Sequence, residues 1–182
     1  LSPHPTPFRS QHPAIQGTYT LFDAERGLAL AQMDARRLTN LRTAAASALA
    51  ATYLARPDAR RLLMVGTGSL APFLIAAHCA VRPIEAVSIW GRDFTKAESL
   101  ARSLDNGQQT FTSVRDLPTA VSEADLISCA TLRPSPLVFG EDLRPGKHLA
   151  LVGAFRPHRR QAVNEAVRRA HLFADTPGGA TA

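Results

Sequence analysis

The segment "RLLMVGTGSLAPFLIAAH", residues 61–78, constrains the fold more than any other part of the chain. An apolar run of strand length meets Gly66-Thr67-Gly68, and a helical apolar pattern follows at once. The pattern G-x-G-x-x-A between a strand and a helix predicts a turn that binds the pyrophosphate of a dinucleotide at the helix N-terminus. A plain turn between two core elements is the alternative interpretation.

Short apolar strands and helical segments alternate along the chain from Arg60 onward. The predicted strands are "RLLMVG", "EAVSIWG", "QTFTSV", "ADLISCAT", "HLALVGAF" and "HLFADT". The predicted helices among them are "SLAPFLIAAHCAVR", "TKAESLARSLDNG", "LPTAVSEA" and "HRRQAVNEAVRRA". This alternation predicts an α/β protein whose core is a doubly wound, parallel Rossmann sheet.

Two positions in this predicted sheet bear on the cofactor. The second strand ends at Arg92 and Asp93. An arginine there accommodates the 2′-phosphate of NADP, whereas an acid holds the ribose 2′-hydroxyl of NAD. We therefore favour NADP(H) over NAD(H), with Arg92 as the phosphate ligand and Asp93 as the cap of the next helix. Ala130 and Thr131 follow the fourth strand, where a loop would pass the nicotinamide ribose.

The N-terminal part has a different pattern, a hairpin followed by a long helix. "GTYTLFD" and "LALAQMD" are predicted strands joined by "AERG", and "ARRLTNLRTAAASALAATYLA" is a predicted helix. Arg42 places a charge on an otherwise apolar face of this helix. With Thr39 or Asn40 as the N-cap, Arg42 would lie in the first turn, where a cation is unfavourable unless an anion binds. The alternative is an arginine whose stem covers the core and whose head reaches water.

Charge and cysteine content narrow the classes of partner. The net charge is +6, and the arginines that carry it are spread along the chain. This distribution favours a small anionic ligand over a nucleic acid. No run approaches the ~20 apolar residues of a membrane span. Cys79 and Cys129 fit free thiols in a reducing, cytoplasmic setting, and the scattered histidines predict no metal site.

Several segments in their order along the chain resemble the ornithine cyclodeaminase/μ-crystallin family. They are "HPAIQGTYTLFD", "LTNLRTAAASALAATYLA", "MVGTGSLA", "ADLISCAT" and "LVGAFRP". The resemblance implies an NAD(P)-binding Rossmann domain, a second domain for substrate binding and dimerisation, and a homodimer. We expect residues 1–56 to belong to the second domain, residues 57–177 to the Rossmann domain, and residues 178–182 to begin a returning C-terminal segment.

The same resemblance assigns roles to individual residues. Arg42 would hold the substrate carboxylate, and Thr43 would lie near the cofactor phosphate. Gly66, Thr67, Gly68, Ser69 and Leu70 would form the pyrophosphate loop. The predicted cofactor contacts also include Arg92, Ala130 and Thr131, from the strand pattern above, and Phe155. Relatives carry an essential lysine shortly before the stretch that matches "PAIQG"; this chain has no lysine before Lys96, so we expect that residue upstream of Leu1.

The loop that matches "VGAFRP" bears on the reaction. Cyclodeaminases of the family carry an aspartate there, whereas this chain has Ala154, Phe155 and Arg156. That difference resembles the ketimine-reductase branch, which reduces cyclic imino acids such as Δ1-pyrroline-2-carboxylate or Δ1-piperideine-2-carboxylate with NAD(P)H. Ornithine cyclodeaminase, alanine dehydrogenase and a non-catalytic NADPH-linked binding protein are the alternatives.

Overall fold

The computed structural model describes residues 16–131, 135–153 and 162–174. Contacts between Cα atoms divide the chain into two compact units, which separate between Thr43 and Ala44. This division lies inside a helix, whereas the sequence-based boundary after Arg56 follows that helix. The domain assignment therefore stays a prediction, and each unit is described by itself.

The first unit contains the predicted hairpin. Strands β1 (Thr18–Phe22) and β2 (Ala29–Asp34) pair antiparallel, and Gly27 in the turn has a φ of +68°. Asp23 closes the turn because its carboxylate accepts hydrogen bonds from the backbone N–H groups of Glu25 and Arg26. The hairpin and its glycine turn are confirmed.

Helix α1 (Ala35–Leu54) begins at the first residue of the predicted helical segment and before the predicted caps Thr39 and Asn40. The Asp34 carboxylate accepts a hydrogen bond of 2.8 Å from the Arg37 N–H, which is the bond of an N-cap. Thr39 and Asn40 therefore lie inside the helix, and the prediction that one of them caps it is wrong. Arg42 is in the third turn, where the helix dipole no longer opposes a cation.

The second unit is built on a five-stranded parallel sheet with the order β5-β4-β3-β6-β7. Its strands are β3 (Arg61–Val65), β4 (Ala86–Trp90), β5 (Thr110–Val114), β6 (Leu126–Cys129) and β7 (His148–Leu151). Helices α2 (Ala71–Val81), α3 (Phe94–Leu104) and α4 (Leu117–Glu123) connect the strands, and a 3-10 turn (Gly140–Asp142) precedes β7. After β5 the chain crosses back to β6 on the other side of β3, so the strand order changes direction between β3 and β6, as in a doubly wound Rossmann fold.

Alternating side chains of the central strands form two cores, one on each face of the sheet. Leu62 and Met64 of β3 join the core that contains α2 and α3. Leu63 and Val65 join the core that contains α4. Because both faces of β3 are covered, the strand has the nearly continuous apolar sequence of a buried parallel strand.

The C-terminal half of α1 packs on the first of these cores through alanines. The buried alanines of this seam recur at helical spacing: Ala44, Ala48, Ala51 and Ala55. Arg82 fixes the end of the helix, because its Nη2 donates to the carbonyl oxygens of Ala51, Thr52 and Ala55 at 2.7–2.8 Å. The Ala51 carbonyl also accepts a hydrogen bond of 3.0 Å from the Ala55 N–H, and the last carbonyls of a helix otherwise lack intrahelical partners.

Two predictions near the C-terminus differ from the structure. Residues 171–174, which are the described part of "HLFADT", are not a strand, and Leu172 and Phe173 are 68% and 69% exposed. This apolar run forms no strand because residues 171–174 pair with no described strand. The described part of the last predicted helix is short, α5 (Asn164–Arg168). Among the described helices, none is long and apolar enough to cross a bilayer.

Candidate dinucleotide-binding site

Three strand ends meet at the carboxyl edge of the sheet, around Gly66. The Gly66 N–H donates to the Trp90 carbonyl at 2.8 Å, and the Ala130 N–H donates to the Val65 carbonyl at 3.0 Å. Gly66 has a φ of +126°, and a Cβ atom there would lie 2.7 Å from the Ala130 oxygen. Only glycine fits this position, both for its backbone conformation and for its space.

A second glycine, Gly91, brings the end of β4 against the same loop. A Cβ atom on Gly91 would lie 2.7 Å from Cγ2 of Thr67. Gly91 was not among the predicted site residues; a glycine directly after the second strand of the alternating pattern was the available signal. The close approach places the residues after β4 beside the glycine loop.

Gly68 is the exposed glycine of the loop. A Cβ atom at Gly68 would meet nothing within 4 Å, and its φ is not positive, so neither strain nor packing requires glycine here. Within the described part of the chain, the N–H groups of Thr67, Gly68 and Leu70 donate no hydrogen bond. An open surface with several unused N–H groups before a helix fits an anionic pyrophosphate.

Helix α2 follows this loop and directs its positive end toward it. Leu70 is the N-cap residue without a side-chain capping bond, and Pro72 lies in the first turn, where a missing N–H costs nothing. Ala71 is 1% exposed and packs in the core, which fits the third small residue of the G-x-G-x-x-A pattern. Ser69 is exposed at the same edge.

The two residues Arg92 and Asp93 follow β4 and differ in their contacts. The Asp93 carboxylate accepts a hydrogen bond of 3.3 Å from the Lys96 N–H and so caps α3. Arg92 is exposed and forms no ion pair with a described residue. The capping role of Asp93 is confirmed, and Arg92 is the side chain that remains for a ligand.

Of the other predicted site residues, some lie beside the glycine loop and some do not lie in the described part of the second unit. Ala130 and Thr131 follow β6 beside Gly66, with Cγ2 of Thr131 3.4 Å from the position of a Gly66 Cβ. Phe155 lies outside the described residues, as do Ala154 and Arg156. Arg42 is exposed and Thr43 half-buried on α1, in the first compact unit. The structure therefore brings together the residues that follow β3, β4 and β6, and the site role of Arg42 stays a prediction.

The thiol nearest this edge is not a nucleophile. Cys129, the last residue of β6, is 1% exposed, and burial raises the pKa of its thiol to about 12. Cys129 is consequently protonated at neutral pH. The described residues at this edge can bind and orient an anionic ligand, and they contain no activated nucleophile. The fold and the glycine loop together define a Rossmann-type dinucleotide-binding protein.

Comparison with known proteins gives the family. The model of the ornithine cyclodeaminase/mu-crystallin family matches residues 1–182, and the chain belongs to that family. The Δ1-pyrroline-2-carboxylate reductase of Paracoccus denitrificans is 42% identical over 165 residues, which cover 90% of this chain and 52% of that protein. The chain thus spans about half the length of this curated relative.

Solved structures of relatives have the same fold. The Δ1-pyrroline-2-carboxylate reductase of Thermococcus litoralis, in complex with NADH and L-proline, is 28% identical with a TM-score of 0.79, over 87% of this chain and 50% of that one. An archaeal alanine dehydrogenase dimer with bound NAD is 27% identical with a TM-score of 0.86, over 94% of this chain and 53% of that one. Both neighbours hold a nicotinamide cofactor.

Proposed function

We propose that the full-length protein is an NAD(P)H-dependent reductase of a cyclic imino acid. Its substrate would be Δ1-pyrroline-2-carboxylate or Δ1-piperideine-2-carboxylate, and its product proline or pipecolate. The observation that carries the proposal is the glycine loop, whose exposed Gly68 and unused N–H groups fit a pyrophosphate. The relative from Paracoccus denitrificans and the neighbour from Thermococcus litoralis support the substrate class.

The residues of this chain would bind and orient the reactants. The loop from Gly66 to Leu70 would hold the pyrophosphate, with Thr43 near a cofactor phosphate. Ala130 and Thr131 would border the nicotinamide ribose, and Phe155 is a further predicted cofactor contact. Arg42 would bind the substrate carboxylate through its planar fork and so orient the C=N carbon. The bound nicotinamide supplies the hydride, and the protein supplies position and electrostatics.

Cofactor preference is proposed as NADP(H) over NAD(H). By analogy, the two neighbours favour NAD(H), since they were solved with NADH and NAD. The residues of this chain favour the phosphorylated cofactor, because Asp93 is used as a helix cap and Arg92 is exposed without an ion-pair partner among the described residues. A guanidinium placed there attracts a 2′-phosphate and gains less from a ribose hydroxyl.

A cytoplasmic homodimer is the proposed assembly. The neighbouring alanine dehydrogenase is a dimer. In the first compact unit, large apolar side chains of the hairpin are exposed: Tyr19 (47%), Leu21 (44%), Phe22 (57%), Leu28 (58%) and Leu30 (60%). A patch of this kind is typical of a surface that another chain or segment covers. Both described cysteines are free thiols, which fits a reducing compartment.

A substrate panel tests the reaction. The full-length protein is incubated with NADPH or NADH and each ketimine, and the absorbance at 340 nm is followed. We expect oxidation of the cofactor with a cyclic ketimine and slower or no oxidation with pyruvate and ammonia. Alanine dehydrogenation is the second candidate because of the 0.86 TM-score neighbour, and a preference for pyruvate and ammonia would establish it instead. Ammonia release from ornithine without net change of cofactor would indicate a cyclodeaminase.

A further inference from the structure

Arg115 lies beside the residues that follow β4, and it has no part in the function proposed above. In the parallel register Trp90 is paired with Val114, so Gly91 and Arg115 are the next residues on the two neighbouring strands. The indole Nε1–H of Trp90 donates to the Arg115 carbonyl at 3.2 Å. This bond fixes the Arg115 backbone next to the Gly91-Arg92-Asp93 turn at the carboxyl edge of the sheet.

The Arg115 side chain is held on an aromatic ring. Its Cζ atom lies 3.6 Å from the ring centroid of Phe94, the first residue of α3. This distance is that of a cation–π stack, in which one face of the guanidinium covers the ring. The N–H groups at the edge of the guanidinium point away from the ring in its plane, and Arg115 is exposed. A planar cation held this way loses less side-chain entropy on binding an anion than a free arginine does.

The acids around Arg115 are engaged in local bonds. Asp93 caps α3, and its carboxylate lies 4.0 Å from the Lys96 ammonium. The Asp116 carboxylate accepts a hydrogen bond from the Thr119 hydroxyl in the first turn of α4. Neither Arg92 nor Arg115 forms an ion pair with a residue in the described ranges. Two guanidinium groups without an ion-pair partner among the described residues therefore lie on one turn and the adjacent strand end.

We propose that Arg115 is a second specificity-determining residue for the cofactor and donates to the 2′-phosphate of NADP(H) together with Arg92. The proposal rests on the proposed NADP(H) preference and deepens it. Phe94 would act as the positioning residue, since its ring holds the guanidinium at the edge of the sheet. A phosphate is the group that two adjacent cations favour, because a doubly charged anion makes charge-assisted hydrogen bonds with both.

Dissociation constants of NADPH and NADH for the full-length protein test this role. They are measured by quenching of protein fluorescence or by calorimetry for wild type, Arg92→Gln, Arg115→Gln and Phe94→Leu. We expect Arg115→Gln to lower the ratio of NADH Kd to NADPH Kd by about tenfold, as the loss of one charge-assisted contact predicts, with the NADH Kd nearly unchanged. Phe94→Leu should lower the same ratio by about threefold, because the Arg115 guanidinium then loses its cation–π contact. Arg102→Gln is the matched control, since Arg102 lies on α3 in an ion pair with Glu98.

The outcomes separate this inference from the cofactor proposal. One outcome is that wild type prefers NADPH, that Arg92→Gln abolishes this preference, and that Arg115→Gln leaves it intact. The role of Arg115 is then overturned, and the cofactor proposal stands. If Arg115→Gln weakens both cofactors equally, Arg115 contacts the adenine and not the phosphate, and the inference is again overturned. If wild type shows no preference for NADPH, both proposals fail.

Discussion

Ser47 of α1 and His78 of α2 are joined by a hydrogen bond of 3.3 Å between the serine hydroxyl and Nε2 of the imidazole. His78 is fully buried, and burial, together with the nearby His148, lowers the pKa of His78 from 6.5 to about 4. The histidine is therefore neutral in the folded protein at physiological pH. The pair fastens the alanine-rich helix to the helix that follows the glycine loop.

This buried histidine predicts acid sensitivity. The unfolded chain binds a proton at His78 near pH 6.5, and the folded chain binds it only near pH 4. Since the unfolded state holds more protons between these values, the free energy of unfolding should fall as the pH is lowered from 6.5 to 4, by up to about 3 kcal/mol. Urea unfolding of the full-length protein across this range measures the slope.

His78→Gln should flatten that slope, because glutamine does not titrate and can still bond to Ser47. Some slope should remain, since burial also lowers the pKa of His148. His171→Gln is the matched control: His171 is exposed, and its substitution should leave the slope unchanged. An equal slope in wild type and His78→Gln would refute the assignment.

The glycines of the loop should respond differently to alanine. Gly66→Ala places a methyl group 2.7 Å from a backbone oxygen at a φ of +126°, so it should destabilise the fold by about 2 kcal/mol or more. Gly68→Ala meets no atom within 4 Å, so it should leave Tm unchanged while weakening NAD(P)H binding about tenfold or more.

Gly107→Ala provides the control for the loop. Gly107 has a φ of +74° with nothing within 4 Å of a Cβ, so alanine there should cost about 1 kcal/mol of stability without changing cofactor affinity. Calorimetric Tm and cofactor Kd for the three variants separate strain from binding. Wild-type affinity in Gly68→Ala would show that the cofactor does not approach this residue.

Arg42→Lys tests the proposed carboxylate contact. Lysine keeps the charge and loses the bidentate fork, so KM for the ketimine should rise about tenfold or more while the Kd of the cofactor stays the same. Arg36→Lys, another exposed arginine of α1, should change neither value. Steady-state kinetics with the full-length protein measure both, and an unchanged KM in Arg42→Lys would remove Arg42 from the site.

Arg82 should contribute more to the free energy of unfolding than an exposed surface arginine does. Its guanidinium donates to three carbonyl groups at the end of α1 and to the Val81 carbonyl at 2.7 Å. Arg82→Lys cannot reproduce this fan of bonds and should lower the free energy of unfolding by about 1–3 kcal/mol. Arg102→Lys, which replaces an exposed arginine, should lower it by less than about 0.5 kcal/mol. Equal losses in urea unfolding would contradict the capping role.

The sequence could predict the sheet and the glycine loop because their signals are local. The alternation of apolar strands and helices predicts the α/β fold, and Gly66 marks the point where a strand ends and a turn begins. The N-cap of α1 was predicted wrongly because Asp34 is both the last residue of a strand and the cap of the helix, so the strand pattern hid the cap. The predicted strand at residues 171–174 failed because pairing partners, not local hydrophobicity, decide whether a strand forms.

Other features depend on contacts that no local pattern shows. The stack of Arg115 on Phe94 joins residues that are distant in sequence and follow two different strands. The approach of Gly91 to Thr67 and the bond between Ser47 and His78 arise in the same way, from the order of the strands and the packing of the helices. The resemblance to relatives supplied the roles of Arg42 and Thr43, which neither composition nor spacing could assign.

Conversion of Δ1-pyrroline-2-carboxylate to L-proline is the decisive measurement for the proposed reductase activity. The full-length protein is supplied with this ketimine and NADPH, and the loss of absorbance at 340 nm is compared with the L-proline formed. We predict one proline for each cofactor oxidised, and a lower rate with Gly68→Ala at limiting cofactor. If the protein binds the cofactor but forms no proline from the ketimine with either NADPH or NADH, the proposed reductase activity is contradicted.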